Sequence, residues 1–372
     1  MQNSVTVIAP VNIAVIKYWG KRNEQLILPI NDSLSVTLST ADLCSKTTIT
    51  ADPSYEENKI VLNGKEENFD NERITRCVEM IKHRALESES CSKELLAYKI
   101  HVDSENNFPT AAGLASSASG YACLVYALAQ LYGLKKQEIS DIARMGSGSA
   151  CRSIYGGFVQ WQKGVQLDGK DSIAVQIAPA SHWPDLHVLI LVVNDSKKKV
   201  GSTSGMARSV LTSELIKYRV EKCVPQRIHS ITQAIKDRDF SKFAEITMKD
   251  SNQFHAICLD TYPPCVYMND VSHAIVNFVH EFNRNEGETK VAYTFDAGPN
   301  ACLYLPEKYV KRVLAFFNHV LPNDNQNSVE YLRGTPVDID EETEFSQYTP
   351  YERNALKYII HTKVGDGPSI VD

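Results

Sequence analysis

The stretch Asn107 to Gly120, NFPTAAGLASSASG, decides how the rest of this chain is read. A proline, a run of small residues, a glycine and the serines Ser116, Ser117 and Ser119 open directly onto an apolar segment. That segment predicts a helix from about Ser116 to Tyr132, with Gly133 as its C-terminal cap. Few charges fall on any face, so the helix should be central and buried. The first N–H groups of a helix lack internal partners, and the helix dipole adds positive potential there. Small side chains let a phosphate approach those groups closely. A tightly packed turn with serine caps would use the same residues, and for this segment taken alone that is the preferred reading. It is neither a Walker loop, since no GKS or GKT follows, nor a GxGxxG turn.

A second small-residue cluster, Met145 to Arg152 (MGSGSACR), repeats the theme. Gly146 to Ser149 offer backbone donors and two hydroxyls, and Arg152 adds a planar cationic fork suited to carboxylate or phosphate. Upstream, Ala9 to Arg22 (APVNIAVIKYWGKR) places Lys17 and Tyr18 at the end of an apolar run, followed by Gly20, Lys21 and Arg22. One lysine is usually a solvated strand end; this density of cations, aromatics and glycine also fits a wall facing anions. Downstream, Tyr293 to Asn300 (YTFDAGPN) sets Asp296 between a strand and a Gly-Pro turn, where a carboxylate can face a cleft or stabilise the turn. Gly201 to Met206 (GSTSGM) precedes a helical stretch and offers either a third anion contact or an N-cap. The Lys197-Lys198-Lys199 run before it reads as a solvated loop.

Around these segments the composition is that of a folded globular chain. Of 372 residues, 43% are hydrophobic and 23% charged, and the formal net charge is -6. That balance argues against broad nucleic-acid binding, which needs a positive field along the phosphates. It leaves room for a small anion, which needs only local cations. The longest apolar run, Leu186 to Val193, has the length of a buried strand rather than a membrane span. The N-terminus lacks the features of a signal or transit peptide, so a cytoplasmic location is expected. Nine cysteines without a CxxC pair argue against a metal cluster or disulfide framework; Cys123 and Cys302 read as small buried hydrophobes.

Strand signals dominate the first third: Ser4 to Ala9, Ser33 to Thr40, Lys46 to Ala51 and Tyr98 to Asp103. Lys59 to Leu62 runs into Asn63-Gly64, the signature of a type I′ hairpin. Asn71 to Leu86 carries the apolar spacing of a helix. Phe158 to Gln162, Ala174 to Ile177, Val291 to Phe295, Ala301 to Leu305 and Tyr358 to Thr362 read as further strands. Helical patterns fill Ser202 to His280, with Asp239 as a cap, and a helix is expected over Pro306 to Val320. Residues 321–350 are polar and acidic and read as a surface excursion. Helices and strands are mixed without strict alternation, which predicts an α+β fold with antiparallel or mixed sheets. The Ser181-His182-Trp183-Pro184 interruption suggests two lobes, residues 1–185 and 186–372.

Taken together and in order, the motifs resemble the GHMP kinase superfamily. PTAAGLASSAS is similar to its central phosphate-binding motif. APVNIAVIKYWGKR, GSGSACRS, MKDSNQFHA at 248–256 and YTFDAGPNA at 293–301 resemble the superfamily's ATP-dependent decarboxylase branch, eukaryotic type. The likeness runs from about residue 5 to at least residue 305. Two departures stand out: Ser119 replaces a frequent alanine, and Asp296-Ala297-Gly298-Pro299 replaces the glycine-rich third motif of the sister kinases.

The resemblance implies a two-lobed GHMP-kinase-type fold with a deep cleft and a homodimer. It implies that ATP, with Mg²⁺, phosphorylates the 3-hydroxyl of (R)-5-diphosphomevalonate, after which phosphate and CO₂ leave to give isopentenyl diphosphate. Asp296 would act at the hydroxyl as base or orienter, with Lys17 in contact. Arg152 would grip the substrate carboxylate, supported by Asn12. Tyr18, Lys21, Arg73, Ser147, Ser149 and Thr203 would hold the diphosphate, and Trp19, Gly20, Gly148, Ala150 and Cys151 would complete the substrate site. Asn107, Pro109, Ala112, Gly113, Leu114, Ala115, Ser116, Ser117 and Ser119 would cradle ATP, with Ser117 directed at the γ-phosphate. Protein ligands for the metal are not legible. The competing expectations are a kinase that stops at phosphorylation, a decarboxylase of the monophosphate, and a binding protein without turnover.

Overall fold

The computed structural model describes residues 3–108, 116–193, 200–326, 328–339 and 345–371. The expected features at Pro109 to Ala115 and at Lys197 to Lys199 lie outside them.

Three main sheets and their helices build the α+β body. The first has the spatial order Ser369–Ile370, Asn3–Pro10, Cys44–Asp52, Lys99–Asn106, Lys59–Leu62, Lys65–Glu67. Its pairings are antiparallel except that of Lys59–Leu62 with Lys99–Asn106. The hairpin at its edge turns on Asn63 (φ 49°) and Gly64 (φ 75°), the left-handed pair that a type I′ turn requires. Helices Glu72–Glu87, Ser116–Leu131 and Ser140–Gly146 close its inner face around one core. Asn71 caps the first of these by accepting from the Arg73 N–H, and Gly133 (φ 74°) follows the second in the conformation of a helix stop.

A second, antiparallel sheet runs Ala174–Ala178, Phe158–Trp161, Ser33–Thr37, Asn12–Ile16. The third runs Ala292–Phe295, Ala301–Pro306, Leu186–Val192, Tyr358–Lys363, Leu332–Gly334. A single larger core joins the two: Ile13, Leu34 and Phe158 are buried with Leu189, Phe243 and Phe317. The change of sheet falls between Ala178 and Leu186, yet burial is continuous across it. The chain end also returns, with Ser369–Ile370 pairing against Val7 and Ile8.

Some expectations need correction. Asn12–Ile16 is a strand of its own, buried at every position, so its sequence shows no alternation. Met145 to Arg152 spans the end of helix Ser140–Gly146 and a 3₁₀ segment, Gly148–Ile154, neither of which its small-residue run announces. Residues 321–350 are not merely a surface excursion. Leu321, Tyr331, Phe345 and Tyr348 are buried in the larger core, because widely spaced aromatic anchors pin an otherwise polar segment. The helix expected from Pro306 begins with a 3₁₀ turn, Glu307–Tyr309, before Val310–Val320.

Candidate active site

A cleft of about 910 Å³ lies where the loops of the sheets converge. Among the described residues four cations line it, Lys17, Lys21, Arg73 and Arg152, with the carboxylate Asp296. Such an excess of positive charge suits a ligand with several anionic groups.

Lys17 follows strand Asn12–Ile16, whose pairing with Ser33–Thr37 shifts register between Ala14 and Ile16. A bulge of this kind re-aims the side chains beyond it. The Lys17 side chain is 3% exposed, and its Nζ donates to Asp296 Oδ1 at 2.6 Å. Asp296 leaves strand Ala292–Phe295 at a tight turn, where the Gly298 N–H donates to the Asp296 carbonyl at 2.7 Å. The preceding Phe295 N–H is held by Ser251 Oγ at 2.9 Å.

Arg152 is buried in the 3₁₀ segment. Its Nη1 donates to Ser33 Oγ at 2.5 Å and its Nε to Asn12 Oδ1 at 3.3 Å. Asn12 is itself locked, donating to the Ser149 carbonyl and to Ser153 Oγ. The guanidinium lies over the Trp161 ring, 6.0 Å from its centroid. Among the described residues no carboxylate reaches Arg152 at ion-pair distance. Burial lowers its guanidinium pKa from the usual value. A buried cation without a partner is costly, and an anion entering the cleft relieves that cost.

Tyr18 packs on Trp161 at 4.6 Å between ring centroids. Its hydroxyl is buried and has no hydrogen-bond partner among the described residues, and burial raises its pKa. Gly148 is forced by this packing: a Cβ there would sit 2.9 Å from the Tyr18 ring and 3.0 Å from Trp161. Lys21 reaches the cleft with a buried stem and pairs with the exposed Glu24 at 2.5 Å. Trp19 is anchored by donation from Nε1 to Ser209 Oγ, which ties the cleft wall to helix Ser202–Thr212. Ser117 Oγ and Ser147 Oγ lie 3.4 Å apart where the 16-residue helix Ser116–Leu131 begins.

The structure thus brings Asn12, Lys17, Tyr18, Trp19, Lys21, Arg73, Ser116, Ser117, Ser147, Gly148, Ser149, Arg152, Thr203 and Asp296 to one cleft. Five other expected contacts stand elsewhere. Ser119 is wholly buried, accepting from Ser45 Oγ at 2.7 Å and donating to the Ser116 carbonyl, so it braces the helix start from behind. Asn107 ties a loop to the neighbouring strand, accepting from the Cys44 N–H and donating to the Asp42 carbonyl. Ala150 and Cys151 face away, because the 3₁₀ turn aims Ser149 and Arg152 inward and buries these two completely. Gly20, at φ 99°, has its Cβ position filled by Ile30 and Val210, so it shapes the turn without lining the cleft. Pro109, Ala112, Gly113, Leu114 and Ala115 lie outside the described residues.

Gly201, Ser202, Ser204 and Met206, from the expected third anion segment, also line the cleft, as do Ala14, Ile27, Ala207, Phe254 and Ala297, which are beyond the expected set. Ala207 follows Thr203 by one helical turn, a spacing that signals a shared face; the others carry only the signature of core residues. Among the described residues no group of three or more His, Cys, Asp or Glu could hold a metal ion.

The α+β body is of the GHMP type, and its cation-lined cleft with hydroxyls at a helix start suits ligands that carry several phosphates. Two family models match the chain: the diphosphomevalonate decarboxylase-like N-terminal domain over residues 9–174, and the mevalonate 5-diphosphate decarboxylase C-terminal domain over residues 188–371. The rat diphosphomevalonate decarboxylase is 53% identical over 99% of this chain and 93% of its own length. The solved mevalonate diphosphate decarboxylase from Trypanosoma brucei superposes with a TM-score of 0.89 at 37% identity, over 99% of this chain and 98% of that one. The solved complex of MDDEF with MVAPP, AMPPCP and magnesium superposes at 0.77 with 32% identity, over the full length of both. The chain belongs to the diphosphomevalonate decarboxylase family, and it is an ATP-dependent decarboxylase.

Proposed function

We propose that this cleft converts ATP and (R)-5-diphosphomevalonate to isopentenyl diphosphate, ADP, phosphate and CO₂. The Lys17–Asp296 contact at 2.6 Å, beside a buried Arg152, carries the reading. Decarboxylation of a β-hydroxy acid needs an electron sink. Phosphorylating the hydroxyl supplies one: the departing phosphate takes the C–O electron pair, while the bond to the carboxylate becomes the new alkene bond.

Asp296 faces the 3-hydroxyl, orienting it or taking its proton as the oxygen attacks the γ-phosphate. Lys17 steadies the charge on the transferring group. Arg152 grips the carboxylate through donors fixed by Asn12 and Ser33, which aligns the breaking bond. Lys21, Arg73, Ser147, Ser149 and Thr203 take the diphosphate, and it also gives the orphaned Tyr18 hydroxyl a partner. Ser116, Ser117 and the helix start behind them receive the nucleotide phosphates. The donor set fits Mg²⁺ held mainly by those phosphates, with Ser116 and Ser117 as protein hydroxyls nearby. Bound there, the ion would offset phosphate charge. Little covalent work remains for the protein, so positioning and electrostatics dominate.

The same reading carries a lobe boundary at residues 185–186, a cytoplasmic location and a homodimer. The exposed Leu211, Tyr218, Tyr262 and Val266 offer apolar surface for a partner copy, and sedimentation velocity would test the state. The function itself is tested with carboxyl-labelled (R)-5-diphosphomevalonate, Mg²⁺ and ATP, following CO₂ and ADP together. Equal release is expected. ADP without CO₂ would mean a kinase, and neither product a binding protein.

A further inference from the structure

Asp250 lies on helix Phe240–Asp260 and is completely buried, as is Arg219. The two form a paired salt bridge: Arg219 Nη1 donates to Oδ1 at 2.7 Å and Nη2 to Oδ2 at 3.0 Å. Arg227 Nη1 adds a third donation, to Oδ1 at 2.8 Å. Burial alone would raise the Asp250 carboxyl pKa, but Arg219 and Arg227 more than offset it, and the group stays ionised. None of these side chains lines the cleft. What they touch is the Lys17 backbone. The Lys17 N–H donates to Asp250 Oδ2 at 2.8 Å, and Arg219 Nη2 donates to the Lys17 carbonyl at 3.1 Å. Both backbone polar groups of Lys17 are therefore gripped just beyond the end of its strand.

The next residue on the same helix, Ser251, accepts from the Phe295 N–H at 2.9 Å, one position before Asp296. Adjacent residues on one helix thus hold the backbones that carry both members of the Lys17–Asp296 pair. Arg219 itself opens a π-helical segment, Arg219–Cys223, between helices Leu215–Tyr218 and Val224–Asp237. Such a segment departs from regular helix and frequently falls at functional sites. A buried ion pair adds little stability over a packed apolar core, so its retention is better explained by what it holds in place.

We propose that Asp250 and Arg219 are positioning residues, which act through the Lys17 backbone to keep the Lys17 ammonium on Asp296. The inference rests on the proposed function, in which that pair serves phosphoryl transfer. It therefore predicts a loss in kcat and not in substrate capture. A displacement of about 1 Å at a reacting group can cost on the order of 100-fold.

The test uses Arg219→Lys, which keeps the charge and loses the two-pronged grip, and Asp250→Asn. Each is made in the full-length wild-type chain and in a Lys17→Arg background. Steady-state CO₂ release is measured, with diphosphomevalonate affinity by calorimetry. The expected result is a kcat lowered about 10- to 100-fold, with KM for both substrates and the measured affinity within about threefold. In the Lys17→Arg background the loss should shrink, since groups acting through one residue are not additive. Should Asp250→Asn fail to fold, Arg219→Lys alone decides. Wild-type kcat in Arg219→Lys, a rise in KM without a fall in kcat, or the same fold-loss in both backgrounds would overturn the proposal. Absence of CO₂ release by the wild-type chain would instead sink the functional reading beneath it.

Discussion

Lys17 and Asp296 stand 279 positions apart in the chain, and their side chains meet at 2.6 Å. One arrives from a bulged strand of the second sheet and the other from the end of a strand in the third. The lysine is buried and the carboxylate is 35% exposed, so the carboxylate faces the cleft while its cation is enclosed.

Asp296→Asn keeps the shape of that contact and removes the charge and the proton acceptor. Turnover should fall about 10²- to 10⁴-fold, the range for a general acid or base. Diphosphomevalonate affinity should persist, because the contacts proposed for the diphosphate are Lys21, Arg73 and the serines. Rate measurements alongside calorimetry check this, and a wild-type-like rate would remove Asp296 from the chemistry.

Arg152→Gln tests alignment. The glutamine can still reach Asn12, which Arg152 contacts through Nε, but it gives up the Nη1 bond to Ser33 and brings no charge to the substrate carboxylate. Loss of a charged hydrogen bond corresponds to about 10- to 100-fold in rate or affinity. Phosphorylation needs the carboxylate less than its loss does, so CO₂ released per ADP should drop below one. Equal release at the wild-type rate would reassign Arg152 to structure. Asn12→Ala should act in the same direction and more weakly.

Ser117→Ala separates the two ends of the cleft. Its hydroxyl is near Ser147 at the start of the long helix, so nucleotide turnover should slow on the order of 10-fold. KM for diphosphomevalonate should rise no more than about threefold, through the lost Ser117–Ser147 contact, while KM for ATP rises further. Initial rates with each substrate varied in turn distinguish this from a general loosening of the cleft, which would raise both KM values alike.

Lys21 enters the cleft already paired with Glu24, whose side chain is 52% exposed. An exposed partner adds at most about 1 kcal/mol, so an incoming diphosphate can displace it readily. Glu24→Gln should lower KM for diphosphomevalonate by up to about fivefold and leave kcat alone. An unchanged or raised KM would show that Lys21 does not contact the diphosphate.

Local chemistry makes much of the fold and the cleft legible in the sequence. The Asn63-Gly64 hairpin, the Asn71 cap and the apolar helix from Ser116 are written in residues a few positions apart. Asp296 is legible for the same reason, lying between a strand and a Gly-Pro turn. Which serine of a cluster faces a cleft is not: Ser117 does and Ser119 does not, and only tertiary packing against Ser45 decides it. The Asn12–Ile16 strand is hidden by burial at all of its positions, which erases alternation. Asp250 is the least visible, since its partner is the backbone of a residue 233 positions away and no side-chain pattern records that.

His255, on the same helix as Asp250, gives a prediction about stability. Burial first, and then the nearby Lys17 cation, lower its pKa from 6.5 to about 4, and its Nε2 lies 3.4 Å from the Phe295 carbonyl. Between those values the unfolded chain takes up a proton that the folded chain refuses. Stability therefore rises with pH across this window: it is fully present above 6.5 and is lost as pH falls toward 4. From pH 6.5 to pH 5 the His255 share is at most about 2 kcal/mol. Burial also lowers the pKa of His187 and His361, which add a slope of the same sign. Denaturant midpoints of wild type and His255→Gln at pH 7 and pH 5 isolate the His255 share. The variant should be less stable at pH 7, having lost a packed ring, yet should lose less between pH 7 and pH 5. Parallel losses in the two proteins would mean that His255 takes up its proton in the folded state and that the helix beneath the Lys17–Asp296 pair is open to solvent.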